Sequence, residues 1–193
     1  LLNNLLKKVD KLVIGGAMAN TFLAAKGFNI GKSMIEKNKI KVAEEILAKA
    51  DSEKCSLIIP EDVVIAKSID EIESVRNVKI DSIKDNYSVF DIGENTIEKI
   101  SNEMATCKTI FWNGPLGLYE QEPFDNSTNV IGRTAAILTK SNLVTSVVGG
   151  GDTVAALNKE KLTGGFSFVS IAGGALVEWL EGKTLPGLEF LLN

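Results

Sequence analysis

The stretch S-V-V-G-G-G-D-T-V-A-A-L, residues 146–157, sets three glycines and an aspartate between a β-branched run and a helix-forming one. Glycines in such a turn let the backbone approach an anion closely, and the N–H groups that open the next helix favour negative charge. Asp152 contradicts that design, because its carboxylate would repel a phosphate. As a helix cap it would accept a backbone N–H, worth roughly 0.5–2 kcal/mol. As a ligand it would need a cation between itself and the phosphate, and Mg²⁺, commonly held by one or two carboxylates plus phosphate oxygens, fits that need. A second stretch, T-I-F-W-N-G-P-L-G-L-Y-E (109–120), ends a strand in Asn113-Gly114-Pro115 and continues through Gly117, Leu118 and Glu120. An amide, an apolar contact and a carboxylate on one short loop suit a base edge, a ring face and ribose hydroxyls.

Other chemistries are excluded by composition. The 193 residues contain no histidine, so Ser-His and Cys-His nucleophile pairs and imidazole-built zinc sites are ruled out. Neither G-x-x-x-x-G-K-[ST] nor G-x-G-x-x-G occurs, so the chain carries no P-loop and no dinucleotide fingerprint. A net charge of −4 supplies no broad basic field for nucleic acid or anionic lipid. The sequence offers no stretch expected to span a membrane and no ordered signal peptide at its start, which predicts a cytoplasmic protein. Cys55 and Cys107 sit in no C-x-x-C pattern and are expected to be packing residues.

The elements that must position these groups follow from periodicity. K-L-V-I (11–14), S-L-I-I-P (56–60), T-I-F-W (109–112), L-V-T-S-V-V (143–148) and F-S-F-V-S-I-A (166–172) read as buried strands. Ile40, Ala43, Leu47 and Ala50 fall at helical spacing, as do Ile97, Ile100 and Met104. A further helix carrying Val130, Ile131, Ala135 and Leu138 is expected to start near Ser127 or Thr128, either of which could cap it. The polar stretch 70–88 reads as a small irregular excursion. Length and a 45% hydrophobic content predict one domain over 1–193, of α/β class, with a mainly parallel, doubly wound sheet and helices on both faces. Gly15-Gly16, Asn113-Gly114-Pro115, Gly149-Gly150-Gly151 and Gly173-Gly174 would then all lie at the carboxyl ends of strands, the edge where open α/β sheets bind ligands.

V-V-G-G-G-D-T, the W-N-G-P-L-G-L-Y-E loop and the ending A-G-G-A-L-V-E-W-L-E-G-K-T-L-P-G-L-E-F-L together resemble the phosphoglycerate kinase family, over essentially the whole chain. Specifically, they resemble the carboxyl-terminal, nucleotide-binding half of that two-domain enzyme. The resemblance implies a Rossmann-like sheet of strand order 3-2-1-4-5-6 whose first, central strand would precede Leu1. It implies that Gly149, Gly150, Gly151 and Thr153 meet ADP or ATP phosphates, that Asp152 serves Mg²⁺, and that Gly15, Gly16, Asn113, Pro115, Gly117 and Leu118 surround the base. Glu120 would meet the ribose hydroxyls, while Trp112 and Tyr119 are expected to pack. Gly151 and Gly174 would face the transferred phosphoryl group.

The chain departs from the family's S-T-G-G-G-A pattern at Ile171 and Ala172, between Ser170 and Gly173-Gly174-Ala175. The family's phosphate-binding lysines and the amino-terminal domain that binds 1,3-bisphosphoglycerate and 3-phosphoglycerate would lie ahead of Leu1. The intact protein is expected to be a monomeric kinase of glycolysis, and this chain by itself an inactive fragment. The rival expectation is a non-catalytic, Rossmann-type nucleotide-binding module using the same crevice.

Overall fold

Each β-branched run expected as a parallel strand contributes one in the computed structural model, which describes residues 2–170 together with Glu178 and Gly182. Strand β1 (Lys11–Val13) pairs in parallel with β2 (Ser56–Ile58). Strand β6 (Thr109–Asn113) pairs in parallel with β7 (Thr145–Gly149), and β7 with β8 (Phe168–Ser170). The register sets Asn113 opposite Gly149 and Gly149 opposite Ser170, so three strands end level with one another. Among the described residues the two parallel ladders do not pair with each other. They nevertheless share one core, in which Ile58, Trp112 and Val148 are buried and Val13 packs beside them. Parallel ladders flanked by helices are the pattern of a doubly wound α/β fold.

Helices flank both ladders. Short α1 (Leu2–Leu5), α2 (Gly16–Ala25) and α3 (Ile40–Ser52) cover β1 and β2 through Ala19, Phe22, Ala43, Ile46 and Ala50. Their cluster also holds Cys55, whose thiol is pushed up by burial and then by Asp10; both cysteines are free, Cys55 buried and Cys107 partly so. On the other ladder, α4 (Glu94–Ala105) buries Ile97, Ile100 and Met104, and α5 (Asn126–Lys140) buries Ile131 and Ala135. Helix α6 (Gly151–Lys159) follows β7 and buries Ala156 and Leu157. No helix of the described residues is long and apolar enough to cross a membrane.

Two expectations need correction. The region around 70–88 is not an irregular excursion but part of a separate antiparallel sheet of order β4-β3-β5, formed by β3 (Asp62–Ala66), β4 (Arg76–Lys79) and β5 (Ser88–Ile92). Strand β3 is buried on both faces, so it lacks the alternation that reveals an antiparallel strand. The second correction concerns α5. Ser127 and Thr128 do not cap it; they lie inside its first turn, fully buried, and bond outwards to other segments.

Capping from a distance also organises α4. Its N-cap position is Gly93, which has no side chain, and Asp62 of β3 fills the role. The Asp62 carboxylate accepts the Asn95 and Thr96 N–H groups at 3.0 and 2.8 Å, the Thr96 hydroxyl at 2.6 Å and the Asn77 amide at 3.1 Å. Burial works to raise the Asp62 carboxyl, but the bonds from Thr96, Asn95 and Asn77 outweigh it and hold the group below its ordinary range. The antiparallel sheet is thereby fixed to the helix that packs under β6.

Candidate functional site

Three turns at the carboxyl ends of β1, β6 and β7 converge. Gly15 and Gly16 join β1 to α2, and the Gly16 N–H donates to the Leu116 carbonyl at 2.9 Å. A Cβ on Gly15 would overlap the Leu116 side chain, and Gly16, at φ +60°, stands close to the Pro115 carbonyl. The β6 loop therefore lies directly against the first glycine turn. At its other side the Gly114 N–H donates to Thr153 Oγ1 at 2.7 Å, tying the loop to α6. Gly150 takes φ +91° before α6, and a Cβ there would meet Asn113 Oδ1 at 2.7 Å. Thus Gly15, Gly16, Asn113, Gly114, Pro115, Gly149, Gly150, Gly151, Asp152 and Thr153 occupy one edge, as expected. Gly174, with Ile171 and Ala172, lies outside the described residues.

The individual groups divide into exposed and structural ones. Asn113, Glu120, Gly151 and Asp152 are exposed, whereas Gly149 and Thr153 are buried. The Thr153 hydroxyl is engaged by Gly114, which leaves its backbone N–H, with those of Gly151 and Asp152, among the groups at a helix start that have no partner one turn back. Among the described residues nothing lies within 4 Å of where a Cβ on Gly114 or Gly151 would stand. Asp152 accepts a long 3.4 Å bond from the Tyr119 hydroxyl, whose own pKa is raised by desolvation and then by Asp152 and Glu120. Tyr119 therefore reaches the site edge as well as packing beside it.

Asp152 meets no lysine or arginine at ion-pair distance among the described residues, and no group of three acidic, cysteine or histidine side chains gathers there. A lone exposed carboxylate beside free backbone donors is no protein-built metal cage. It does fit Mg²⁺, which keeps several waters and takes its remaining oxygens from phosphate.

Gly117 and Leu118 are held from a third direction that the sequence did not reveal. The Leu118 N–H donates to the Phe90 carbonyl at 2.9 Å, and Leu116 N–H to Thr128 Oγ1 at 3.0 Å. Beneath them lies Asp91, 2% exposed, accepting the Ser127 hydroxyl and the Ser127 and Ile92 N–H groups. Burial, with a smaller contribution from the Asp125 charge, lifts the Asp91 carboxyl from 3.8 to about 7 against the opposing effect of those bonds. Asp125 is itself paired with Lys159 at 3.1 Å.

The folded Asp91 binds its proton more tightly than the unfolded one, so this group lowers stability fully above about pH 7 and progressively less as pH falls towards 4. Denaturant midpoints should therefore imply a stability gain on the order of 2–4 kcal/mol from this group between pH 8 and pH 4.5. Removing the carboxyl should flatten that slope; an unchanged slope would contradict the assignment.

The phosphoglycerate kinase family model matches residues 1–183. The chain is 48% identical over 191 residues to phosphoglycerate kinase from Novosphingobium aromaticivorans, covering 98% of this chain and 48% of that protein. Against the Sphingopyxis alaskensis enzyme it is 47% identical over 190 residues, again covering 98% of this chain and 48% of the relative. Among solved structures, phosphoglycerate kinase from Coxiella burnetii superimposes with a TM-score of 0.93 at 43% identity, covering 99% of this chain and 48% of that one. The Pyrococcus horikoshii OT3 enzyme gives 0.79 at 28% identity, covering 97% and 47%. The chain spans about half the length of the relatives it matches. With a family match across residues 1–183, close relatives over nearly its whole length and a solved structure that superimposes on it, the chain belongs to the phosphoglycerate kinase family.

Proposed function

We propose that this chain is the nucleotide-binding half of a phosphoglycerate kinase, which moves a phosphoryl group reversibly from the acyl phosphate of 1,3-bisphosphoglycerate to MgADP, giving 3-phosphoglycerate and ATP. The observation that carries the reading is the convergence of the Gly15-Gly16, Asn113-Gly114-Pro115 and Gly149–Thr153 turns at one sheet edge. Phosphoryl transfer needs positioning and charge neutralisation more than covalent help, so the absence of histidine is no obstacle. The amides of Gly151, Asp152 and Thr153 at the start of α6 would bind phosphate oxygens. Magnesium held by Asp152 would offset phosphate charge. Asn113, Pro115, Gly117 and Leu118 would flank the base beside Gly15 and Gly16, and Glu120 would accept the ribose hydroxyls. Gly174 belongs to the same reading through the family resemblance alone. The phosphoglycerate would be supplied by an amino-terminal domain, and the whole enzyme would act as a cytoplasmic monomer. A dinucleotide-binding module is disfavoured because the first glycine turn reads G-G-A-M-A, without the G-x-G-x-x-G spacing.

The test of the nucleoside assignment uses Glu120. In an intact enzyme carrying this chain, ADP should bind about three- to tenfold more tightly than 2′-deoxy-ADP, as expected for one partly solvated charge-assisted bond. Glu120→Ala should abolish that preference. Equal ADP affinities of the variant and the parent in calorimetric titration would remove Glu120 from the site.

A further inference from the structure

Asp91 is a buried carboxylate with no part in the chemistry described above, yet it touches the nucleotide loop from below. Its Oδ1 accepts the Ser127 hydroxyl and, at 2.8 Å, the Ile92 N–H; its Oδ2 accepts the Ser127 N–H at 3.0 Å. Gly117 is pressed onto the same carboxylate, so that a Cβ at this position would overlap both Asp91 and the Phe124 carbonyl. The preceding residue of β5 adds two more ties: the Phe90 carbonyl accepts the Leu118 N–H, and the Phe90 and Phe124 rings stand 4.8 Å apart. One end of β5 thus grips the segment from Gly117 to Phe124 and the first turn of α5 together.

From this we infer that Asp91 is a positioning residue for the nucleotide: its carboxyl holds Ser127 in the first turn of α5, whose next residue, Thr128, accepts the Leu116 N–H, and it forms the surface on which Gly117 packs, so that Leu118 and Glu120 are presented to the base and ribose. The inference rests on the reading of this loop as the nucleoside contact. The geometry requires a carboxyl group in particular. Both oxygens accept backbone N–H groups, from Ile92 and Ser127, so an asparagine would set its amide NH₂ against one of those donors in either orientation. A buried donor left without an acceptor loosens whichever segment carries it.

The experiment compares Asp91→Asn and Ser127→Ala with the parent, using two readouts. In the full chain, hydrogen exchange of the Leu116–Glu120 amides should accelerate about tenfold in Asp91→Asn and about threefold in Ser127→Ala, while Val147 and Val148 of β7 keep parental rates. In the intact enzyme, KM for ADP should rise about tenfold for Asp91→Asn, with KM for phosphoglycerate within about twofold of the parent. Ser127→Ala keeps the carboxyl and serves if the asparagine variant does not fold. Unchanged loop exchange in both variants, acceleration spread equally to β7, or an unchanged KM for ADP would each overturn the inference. An intact parent that binds no ADP would instead refute the nucleotide reading, and with it the positioning role, even if the exchange data confirmed the clamp.

Discussion

Asp152→Ala, placed in an intact enzyme carrying this chain, is expected to lower MgADP turnover about a hundredfold while metal-free ADP binds within about twofold of the parent. The argument starts from where Asp152 stands. It is exposed in the first turn of α6, and the cap position of that helix is Gly150, so Asp152 makes no capping bond. Its one side-chain bond among the described residues is the 3.4 Å contact from Tyr119. On the proposed reading, a carboxylate left this free, at a turn otherwise built from amide donors, would act on a cation bound beside phosphate. Removing it takes a charge-assisted contact from the reacting complex but takes nothing from metal-free ADP, whose phosphates it repels. Were Asp152 only a favourable charge at a helix start, the variant would lose about 0.3–1 kcal/mol of stability and keep its turnover. Parental turnover in steady-state assays at saturating Mg²⁺ would therefore refute the metal role.

The sequence made the edge of the site legible because the relevant signals are local. A short β-branched run ending in glycines and followed by a helix announces both a parallel strand and the turn at its carboxyl end. Gly15-Gly16, Asn113-Gly114-Pro115 and Gly149-Gly150-Gly151 all follow this rule, and the register sets Asn113 level with Gly149. The support beneath the site was not legible, because it is built from contacts between distant residues. Ser127 looks like a helix cap until Asp91, 36 positions earlier, is found taking both its hydroxyl and its N–H. Thr153 looks like a phosphate ligand, yet its hydroxyl receives the Gly114 N–H from 39 residues away. The antiparallel sheet escaped for a related reason. Asp62 at the start of β3 gains its meaning only from Thr96 and Asn95 at the start of α4, which it caps.

The parallel ladders define the most direct test. Among the described residues β1 pairs with β2 and β6 with β7, and neither β1 nor β6 has a partner on its other side. Unpaired edges of this kind are poor templates for a stable switch-point crevice. On the proposed reading, a central strand and a phosphate-binding lysine would come from sequence ahead of residue 1, and the acceptor site from a further domain. Loss of even one lysine contact to phosphate removes roughly 1.5–3 kcal/mol, about tenfold to a hundredfold or more in affinity. The decisive measurement is phosphoglycerate kinase turnover of this chain alone and after mixing with a separately made amino-terminal half that includes the central strand, with assembly checked by size-exclusion chromatography. The account predicts no turnover from the chain alone and measurable turnover from the assembled pair. Robust turnover by the chain alone, or a stably assembled pair with none, would contradict it.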